Sequence, residues 1–156
     1  PEDILDYVYA VLHSPAYRAK YGEFLKSDFP RVPYPSNKEE FWKLVPLGTK
    51  LRNLHLLTAS EVRQPITSFP ISGSNEVLKP VWQGGKVYIN ETQYWDGVVK
   101  EVWNFYIGGY QPAQKYLKDR KSRTLTTPEF ENYEKMIASL NETIKVMQEI
   151  DRLLKV

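Results

Sequence analysis

The chain has 156 residues, 42% of them hydrophobic, which is enough for one globular domain with a core of its own. Its formal net charge is only +2, so any binding of nucleic acid must depend on local clusters of cations. It contains no cysteine, which excludes disulfides, cysteine zinc sites and cysteine nucleophiles, and which fits a reducing, cytoplasmic location. No apolar run approaches the roughly 18 residues of a membrane span, so we expect no membrane partner. Because the first residue is Pro1 rather than Met, we expect the chain to be part of a longer polypeptide.

The N-terminal part of the sequence predicts two helices. Residues 2–13 carry apolar side chains at helical spacing, with acidic residues in the first turns. Ser14 then provides an N-cap and Pro15 a favoured first-turn residue for a second helix. Three alternating prolines in the stretch FPRVPYP, residues 29–35, fix their own φ angles and favour extended backbone there.

A third helix is predicted after this extended stretch. Ser36 and Glu39 have the spacing of a capping box, and apolar residues continue at helical spacing to about Leu57. Pro46 lies inside this helix and should kink it or split it, because its ring removes one backbone donor.

From Pro65 onward the sequence changes to short β-branched and aromatic segments. ITSFPI, EVLKPVW and KVYINET each predict a strand. Gln83-Gly84-Gly85-Lys86 is a typical hairpin turn between the second and the third. The apolar run VWNFYI at residues 102–107 predicts a further strand.

The C-terminal part predicts two more helices. Pro112 favours a short helix that ends near Lys121, and Thr127-Pro128-Glu129 begins a long one whose apolar residues keep a spacing of three and four. Helices, then a small mostly antiparallel sheet, then helices indicate an α+β fold. We expect a helical segment at 1–62 and a second module at 63–156, or one single compact domain.

The sequence motifs that mark the active sites of most enzymes are missing from this chain. His13 and His55 stand about 40 residues apart without a metal-binding motif, so we interpret them as partly buried or surface histidines. There is no phosphate-binding loop and no serine nucleophile motif. We therefore expect no catalysis, no cofactor and no metal site in this chain.

The segment from Tyr110 to Arg123 is the most basic part of the chain, with five cations and one acid. Cations on one helix face would contact DNA phosphates, and the amides of Gln111 and Gln114 could bind base edges. The alternative is an ordinary amphipathic helix whose lysine stems cover the sheet. The five cations are Lys115, Lys118, Arg120, Lys121 and Arg123.

The predicted hairpin offers a second candidate surface. Strand alternation places Lys86, Tyr88 and Asn90 on one face and Val87 and Ile89 on the other. A two-stranded ribbon fits the major groove of DNA, although an ordinary solvent-facing sheet surface has the same composition. The candidate contacts on the hairpin are Lys79, Trp82, Lys86, Tyr88, Asn90, Gln93 and Tyr94.

Several long segments, in this order, resemble the C-terminal target-recognition region of type ISP restriction–modification enzymes. More distantly they are similar to the specificity regions of type IIG and other amino-group DNA methyltransferases. The segments are YVYAVLHSPAYRAKYGEFLKSDFPRVPYP, LGTKLRNLHLL, VYINETQYWDGVVKEVWNFYIGGYQPAQKYLKDRKSRTL and MIASLNETIKVMQEID.

The resemblance implies a parent polypeptide with a nuclease, a helicase-like ATPase and an adenine-N6 methyltransferase. Their cofactors, S-adenosylmethionine, ATP and Mg²⁺, would bind in those other domains. The resemblance also implies that Gly108-Gly109 is a strand-to-helix turn before a DNA-facing helix. FPRVPYP would be the hinge from the methyltransferase side, with Arg31 as a further DNA contact.

We therefore expect a target-recognition domain for double-stranded DNA without catalysis of its own. The alternative is a docking module that braces the methyltransferase domain of the same polypeptide and reads no base. If the first hypothesis holds, we expect the ribbon at 77–94 and the turn and helix at 108–123 to form one concave basic surface, with base reading by the ribbon and phosphate contacts from the helix.

Overall fold

The computed structural model describes residues 1–27 and 31–154, so Phe29 and Pro30 of the expected hinge lie outside the described residues. The chain forms two compact units. The helical unit comprises Pro1–Ala59 and the residues from Glu142 onward, and the sheet unit comprises Ser60–Asn141. The sequence predicted a boundary between the two segments after residue 62, and the structure has its first boundary after Ala59.

Helices and a small antiparallel sheet confirm the predicted α+β fold. The sheet has the strand order β1-β2-β3. The helices are α1 (Glu2–Leu12), α2 (Pro15–Ser27), α3 (Lys38–His55), α4 (Lys100–Asn104), α5 (Pro112–Lys118) and α6 (Thr127–Leu154), and the strands are β1 (Val81–Gln83), β2 (Lys86–Tyr88) and β3 (Tyr94–Asp96).

The helix starts of the helical unit follow local capping chemistry. Ser14 Oγ accepts a hydrogen bond from Tyr17 N at 3.0 Å, as predicted for the N-cap of α2. The cap of α3 is Asn37, whose side chain accepts from Glu40 N at 2.8 Å, so the capping box expected at Ser36 is wrong by one residue. Helix α3 runs through Pro46 without a break, so the proline does not split it.

Helices α1 and α3 approach each other closely at Gly48. A Cβ atom at this position would lie 1.8 Å from the carbonyl oxygen of Asp6, far inside van der Waals contact. The Asp6 carboxylate, which is 2% exposed, accepts hydrogen bonds from Thr49 Oγ1 at 2.7 Å and from Arg52 Nε at 2.9 Å. The hydrogen bond from Arg52 holds the pKa of Asp6 below its usual value.

The two histidines meet in the helical unit, which their separation in sequence did not predict. Their ring centroids lie 5.2 Å apart, His55 Nδ1 is hydrogen-bonded to Tyr9 OH, and His13 Nδ1 lies 2.7 Å from the carbonyl oxygen of Tyr9. Burial, reinforced by His13 and by the guanidinium of Arg18, lowers the pKa of His55 to about 4. Burial likewise lowers the pKa of His13. Both rings are therefore neutral near pH 7.

The hairpin of the sheet unit has the predicted turn and the predicted alternation. Gln83 pairs with Lys86 across Gly84 and Gly85, whose φ angles of 58° and 84° suit a turn that glycine favours. Val87 and Ile89 are both fully buried, as the alternation predicted.

Two of the predicted strand assignments need correction, and one strand was not predicted. ITSFPI forms only an isolated bridge from Ser68 to Asp96, while the third strand lies at Tyr94–Asp96. The run VWNFYI is not a strand: α4 ends at Asn104, and Ile107 pairs back on Tyr110. Its adjacent residues Val102 and Trp103 are both buried, which is a helical rather than an alternating pattern.

The inner face of the sheet packs on an aromatic core. Trp82, Val87 and Trp95 are directly paired across the three strands and therefore share this face. The Trp95 ring contacts Tyr133 of α6, with centroids 4.6 Å apart. Tyr133 also reaches α5, where its hydroxyl donates to the carbonyl oxygen of Ala113 at 2.9 Å. The core thus lies between the sheet and α5.

We expect Gly48→Ala to destabilise the protein by about 3 kcal/mol or more, because the new methyl group meets backbone that cannot move aside alone. Gly22→Ala is the matched control, since Gly22 is also helical and a Cβ there meets nothing within 4 Å. This control should be neutral or stabilising by up to ~1 kcal/mol. Chemical denaturation of both variants measures the difference, and equal stabilities would contradict the close approach.

We expect stability to fall with pH between about 6.5 and 4 because of His55. In this range the unfolded chain takes up a proton that the folded ring, with its pKa of about 4, does not accept. After a discount for the partial exposure of the ring, the loss is about 1 kcal/mol, or about 2–4 °C in Tm. His55→Gln should show a smaller drop in Tm between pH 7 and pH 5 than the wild type, and an identical drop would contradict this assignment.

Candidate nucleic-acid interface

The outward face of the sheet carries a stack of one cation and two aromatic rings. Lys86 Nζ lies 4.7 Å from the centre of the Tyr94 ring, and Tyr94 and Tyr88 have ring centroids 5.1 Å apart. Because Tyr88 and Tyr94 are direct cross-strand partners, their rings must share this face. A half-exposed tyrosine pair beside a lysine can stack on bases and attract phosphate.

A groove of about 520 Å³ runs beside this stack along β1. Its polar lining offers hydrogen-bond donors and acceptors, while Leu78 and Val81 are 44% and 40% exposed. The sequence-predicted contacts Lys79, Tyr88 and Asn90 therefore do meet at one surface feature. The lining residues are Leu78, Lys79, Val81, Gln83, Tyr88, Asn90 and Glu91.

Two of the hairpin residues predicted to bind DNA have partners inside the sheet unit. Trp82 belongs to the inner face, and its Nε1 donates to the carbonyl oxygen of Val98 at 2.7 Å. Gln93 is 1% exposed. We therefore correct the assignment of Gln93, because its side chain cannot reach a base without unpacking the core, while that of the partly exposed Trp82 stays a prediction.

The amide of Asn90 is half-buried and used within its own turn. Its Oδ1 accepts from Gln93 N at 2.8 Å and from Thr92 N at 3.1 Å, and its Nδ2 donates to the carbonyl oxygen of Glu76 at 3.0 Å. Asn90 lines the groove but shapes it by capping the turn, which is the usual role of Asn in such positions.

The basic segment divides into cations that are paired and cations that are not. Lys115 Nζ lies 3.0 Å from Asp119 in an exposed pair one turn along the helix. Lys118 and Lys121 are exposed and form no ion pair within residues 1–27 and 31–154. These two lysines are therefore the cations of the segment that are available to phosphates.

The two arginines of the segment are held by Glu129 at the start of α6. Arg120 Nε and Arg123 Nη2 lie 2.5 and 2.6 Å from the same carboxylate oxygen, and the Arg120 guanidinium stacks on Tyr116 at 3.6 Å. Hydrogen bonding to the Thr126 backbone, and then to Arg120, lowers the pKa of Glu129 to about 2. These arginines act first as structural partners.

Sequence reasoning missed Glu129 as this partner, although its signal was present. Thr126 and Glu129 form a capping box in which Thr126 N donates to Glu129 Oε1, and Glu129 N to Thr126 Oγ1, both at 3.2 Å. A Thr-x-x-Glu pattern before the helix predicts such a box. What no local pattern indicates is that both arginines fold back onto its second carboxylate oxygen.

The two glutamines of the segment support helix α4. Gln111 Nε2 donates to the carbonyl oxygen of Asn104 at 3.2 Å, and Gln114 Nε2 donates to that of Trp103 at 3.1 Å. Both carbonyls belong to the last turn of α4, where intrahelical partners run out. The glutamines thus satisfy backbone groups, and Gln114 Oε1 lies 3.4 Å from Lys118 Nζ.

The glycine pair that precedes α5 makes a tight turn. Gly108 has a φ of 59°, which glycine favours, and Ile107 and Tyr110 pair across it. The flanking side chains are exposed: Tyr106 by 61%, Ile107 by 41% and Tyr110 by 46%. The turn therefore reverses the chain between α4 and α5 rather than releasing it from the sheet.

The expected single basic surface forms only in part. Residues 122–125 run antiparallel to 75–77, with Val77 N donating to the carbonyl oxygen of Arg123 at 2.9 Å, so the end of the segment meets the ribbon at the edge of β1. Helix α5 itself lies beyond the aromatic core from the outward sheet face. A common face for Lys86 and Lys118 therefore stays a prediction.

The remaining predicted contact, Arg31, belongs to the helical unit. Its guanidinium lies 5.7 Å from the ring of Phe24, and its carbonyl oxygen accepts from Tyr17 OH at 2.8 Å. It lines a groove of about 320 Å³ together with Tyr17, Tyr21, Phe24, Leu25 and Pro33. The structure therefore places Arg31 in a different unit from the sheet and the basic segment.

Within residues 1–27 and 31–154, no three His, Cys, Asp or Glu side chains gather in a way that could hold a metal ion. None of the helices described there combines the length and apolar character required to span a bilayer.

Solved structures similar to this chain are large enzymes. One is a nuclease-deletion mutant of the Type ISP restriction-modification enzyme LlaGI in complex with a DNA substrate mimic, at 25% identity and a TM-score of 0.71, covering 96% of this chain and 16% of that one. Another is the ATP-dependent Type ISP enzyme LlaBIII bound to DNA, at 23% identity and a TM-score of 0.70, covering 96% of this chain and 11% of that one.

A third is a DrdV–DNA complex, at 23% identity and a TM-score of 0.72, covering 96% of this chain and 18% of that one. A search of curated proteins gave no match. The model of the Type ISP C-terminal specificity domain family matches residues 1–149, which confirms the resemblance seen in the sequence. With nearly its whole length matched, the chain belongs to the family of Type ISP C-terminal specificity domains.

Proposed function

We propose that the chain recognises the DNA target sequence of a restriction–modification enzyme. The observation that carries this proposal is the outward stack of Lys86, Tyr94 and Tyr88 beside an open groove. It lies in a domain whose family is named as a specificity domain. A two-stranded ribbon is a shape that the major groove admits, and exposed groups along it can contact base edges. In this proposal the sheet face and groove read the duplex.

Phosphate contacts come from the exposed lysines rather than from the arginines. Lys118 and Lys121 lack ion-pair partners in the described part of the chain, whereas Arg120 and Arg123 share Glu129. Lysine contacts to phosphate position a protein on DNA without reading its sequence. Lys79 at the groove and Lys115 on α5 add to this positive surface.

The chemistry of the enzyme belongs to other parts of the polypeptide. The chain spans less than a fifth of the length of the LlaGI, LlaBIII and DrdV chains that it matches. We propose a cytoplasmic parent with an adenine-N6 methyltransferase, a helicase-like ATPase and a nuclease, which would bind S-adenosylmethionine, ATP and Mg²⁺. This chain would direct their action to a double-stranded site.

The helical unit supports a second role, docking on the methyltransferase domain of the same polypeptide. Several large apolar side chains of α1, α2 and α3 are exposed there. Aromatic residues of this kind are enriched at protein interfaces. They include Ile4 at 61%, Leu5 at 53%, Phe24 at 52% and Trp42 at 56%.

The proposal is tested by exchanging residues 60–141 between two family members of different specificity. The sheet unit is the correct segment to exchange, because it keeps Trp95, Tyr133 and the Arg120–Glu129 pair together. We expect the methylated sequence to follow the exchanged unit. If the original sequence is still methylated at an unchanged rate, the sheet unit reads no base and the docking alternative holds for the whole chain.

A second test separates the two kinds of cation through the salt dependence of duplex binding. In the intact polypeptide, Lys118→Ala with Lys121→Ala should reduce the slope of log K against log salt by about 2, at roughly 0.9 per phosphate contact. Arg120→Ala should leave the slope unchanged and lower the Tm by several degrees, since it breaks the pair with Glu129.

The matched control for this test is Lys20→Ala with Lys26→Ala, which removes two exposed cations from the helical unit. An equal change of slope in this control would show that total charge, rather than the basic segment, sets the salt dependence. No change of slope for the Lys118 and Lys121 variant would remove these lysines from the proposed contacts.

A further inference from the structure

The buried amide of Gln93 joins two surface loops of the sheet unit. Its Oε1 accepts from Asn75 N at 2.8 Å and from Asn90 Nδ2 at 2.9 Å. Its Nε2 donates to Asn75 Oδ1 at 2.8 Å and to the carbonyl oxygen of Ile71 at 3.1 Å. All four hydrogen-bonding positions of the amide are therefore used.

The loop at 71–76 is shaped to fit this amide. A Cβ atom on Gly73 would lie 2.7 Å from the Gln93 side-chain carbon, so only glycine lets the loop close over it. Asn75 has a φ of 58°, a left-handed conformation that costs energy in most residues. Since Gln93 binds both the backbone N and the side chain of Asn75, it holds that conformation in place.

On the other side, Gln93 fixes the turn that ends β2. Asn90 Nδ2 is shared between Gln93 Oε1 and the carbonyl oxygen of Glu76, while its Oδ1 caps the turn at Gln93 N. The turn at 90–93 and the loop at 71–76 therefore cannot shift independently. Each of them forms part of the wall of a surface groove.

The two grooves lie on either side of this connection. Asn90 and Glu91 line the 520 Å³ groove beside the outward sheet face. Ile71, Gly73 and Asn75 line a second groove of about 540 Å³, whose far wall contains Phe130 and Glu134 of α6. A carboxylate such as that of Glu134 can accept from the amino group of cytosine.

We infer that Gln93 is a positioning residue for sequence selectivity, which acts without touching DNA. This inference rests on the proposed function of the sheet unit. Gln93 fixes the loop that lines one groove relative to the turn that lines the other. Base readout requires such contact groups to be held within a fraction of an ångström. Loss of the amide should therefore reduce discrimination between sequences while the lysine contacts to phosphate persist.

The test compares Gln93→Glu with the wild type in the intact polypeptide. The carboxylate has nearly the same shape but cannot donate to Ile71 or Asn75. We expect the ratio of methylation rates on the cognate duplex and on duplexes with single base-pair changes to fall about tenfold, the scale of one lost base contact. Non-specific duplex binding and its salt slope should remain unchanged. Gln64→Glu, an identical change at an exposed position of the same unit, is the control.

A second variant covers the case in which Gln93→Glu does not fold. Gly73→Ala leaves the amide intact and displaces the loop from outside, so it should lower the same ratio and speed hydrogen exchange at Asn75 N. A lower Tm with unchanged ratios in a folded variant of either kind would overturn the inference, because a purely structural residue affects all sequences alike. If the wild type itself shows no preference among the duplexes, the proposed function fails instead.

Discussion

The position of Tyr133 between the sheet and α5 is the constraint on which the sheet unit depends. Its fully buried ring packs on Trp95, and its hydroxyl satisfies a carbonyl group of α5. One side chain of α6 thus joins the three-stranded sheet and the 7-residue helix α5, each of which is too small to be stable alone. The same position ties α5 to the inner face of the sheet, because Tyr133 contacts Trp95 and Ala113 at once. The basic segment meets the residues that precede β1 at its end, where Val77 N donates to the carbonyl oxygen of Arg123.

Polar side chains in this unit mostly serve its own backbone. Gln111 and Gln114 complete the last turn of α4, Asn90 caps a turn, and Gln93 holds a loop. Short helices and three-residue strands leave many backbone groups without partners, and side chains must supply them. In a unit built from such small elements, many side-chain amides therefore bind its own backbone. From the sequence alone, the same amides look like ligand contacts. The groups left for DNA are those on the outward sheet face and the exposed lysines.

The parts of the fold that were predicted from sequence are those with local signals. Ser14 and Pro15 start a helix through their own chemistry, and Gly84-Gly85 requires a tight hairpin. The run at 102–107 misled because apolar residues in a short stretch fit a strand as well as a helix, and the amides that complete α4 come from another element. The meeting of His13 and His55, and of Arg120 with Glu129, depends on tertiary packing that spacing does not encode. The alternation of side chains along β2 therefore correctly predicted that Lys86 and Tyr88 share one face of the sheet. It did not predict which neighbouring side chains already have hydrogen-bond partners within the unit.

The distribution of charge separates affinity from selectivity. The sheet unit contains ten basic and nine acidic residues, so its overall field attracts DNA only weakly. Non-specific affinity grows with the number of phosphate contacts, and the acidic residues of this unit nearly balance its cations. Such a unit would bind DNA only weakly when it is alone. If other domains of a longer polypeptide hold the duplex, the contact of this unit with DNA becomes effectively intramolecular, and the unit can then discriminate between sequences. The exposed apolar residues of the helical unit fit this separation of affinity from selectivity. Docking through them would fix the orientation of the chain on its parent, which the weak net charge of the sheet unit cannot do.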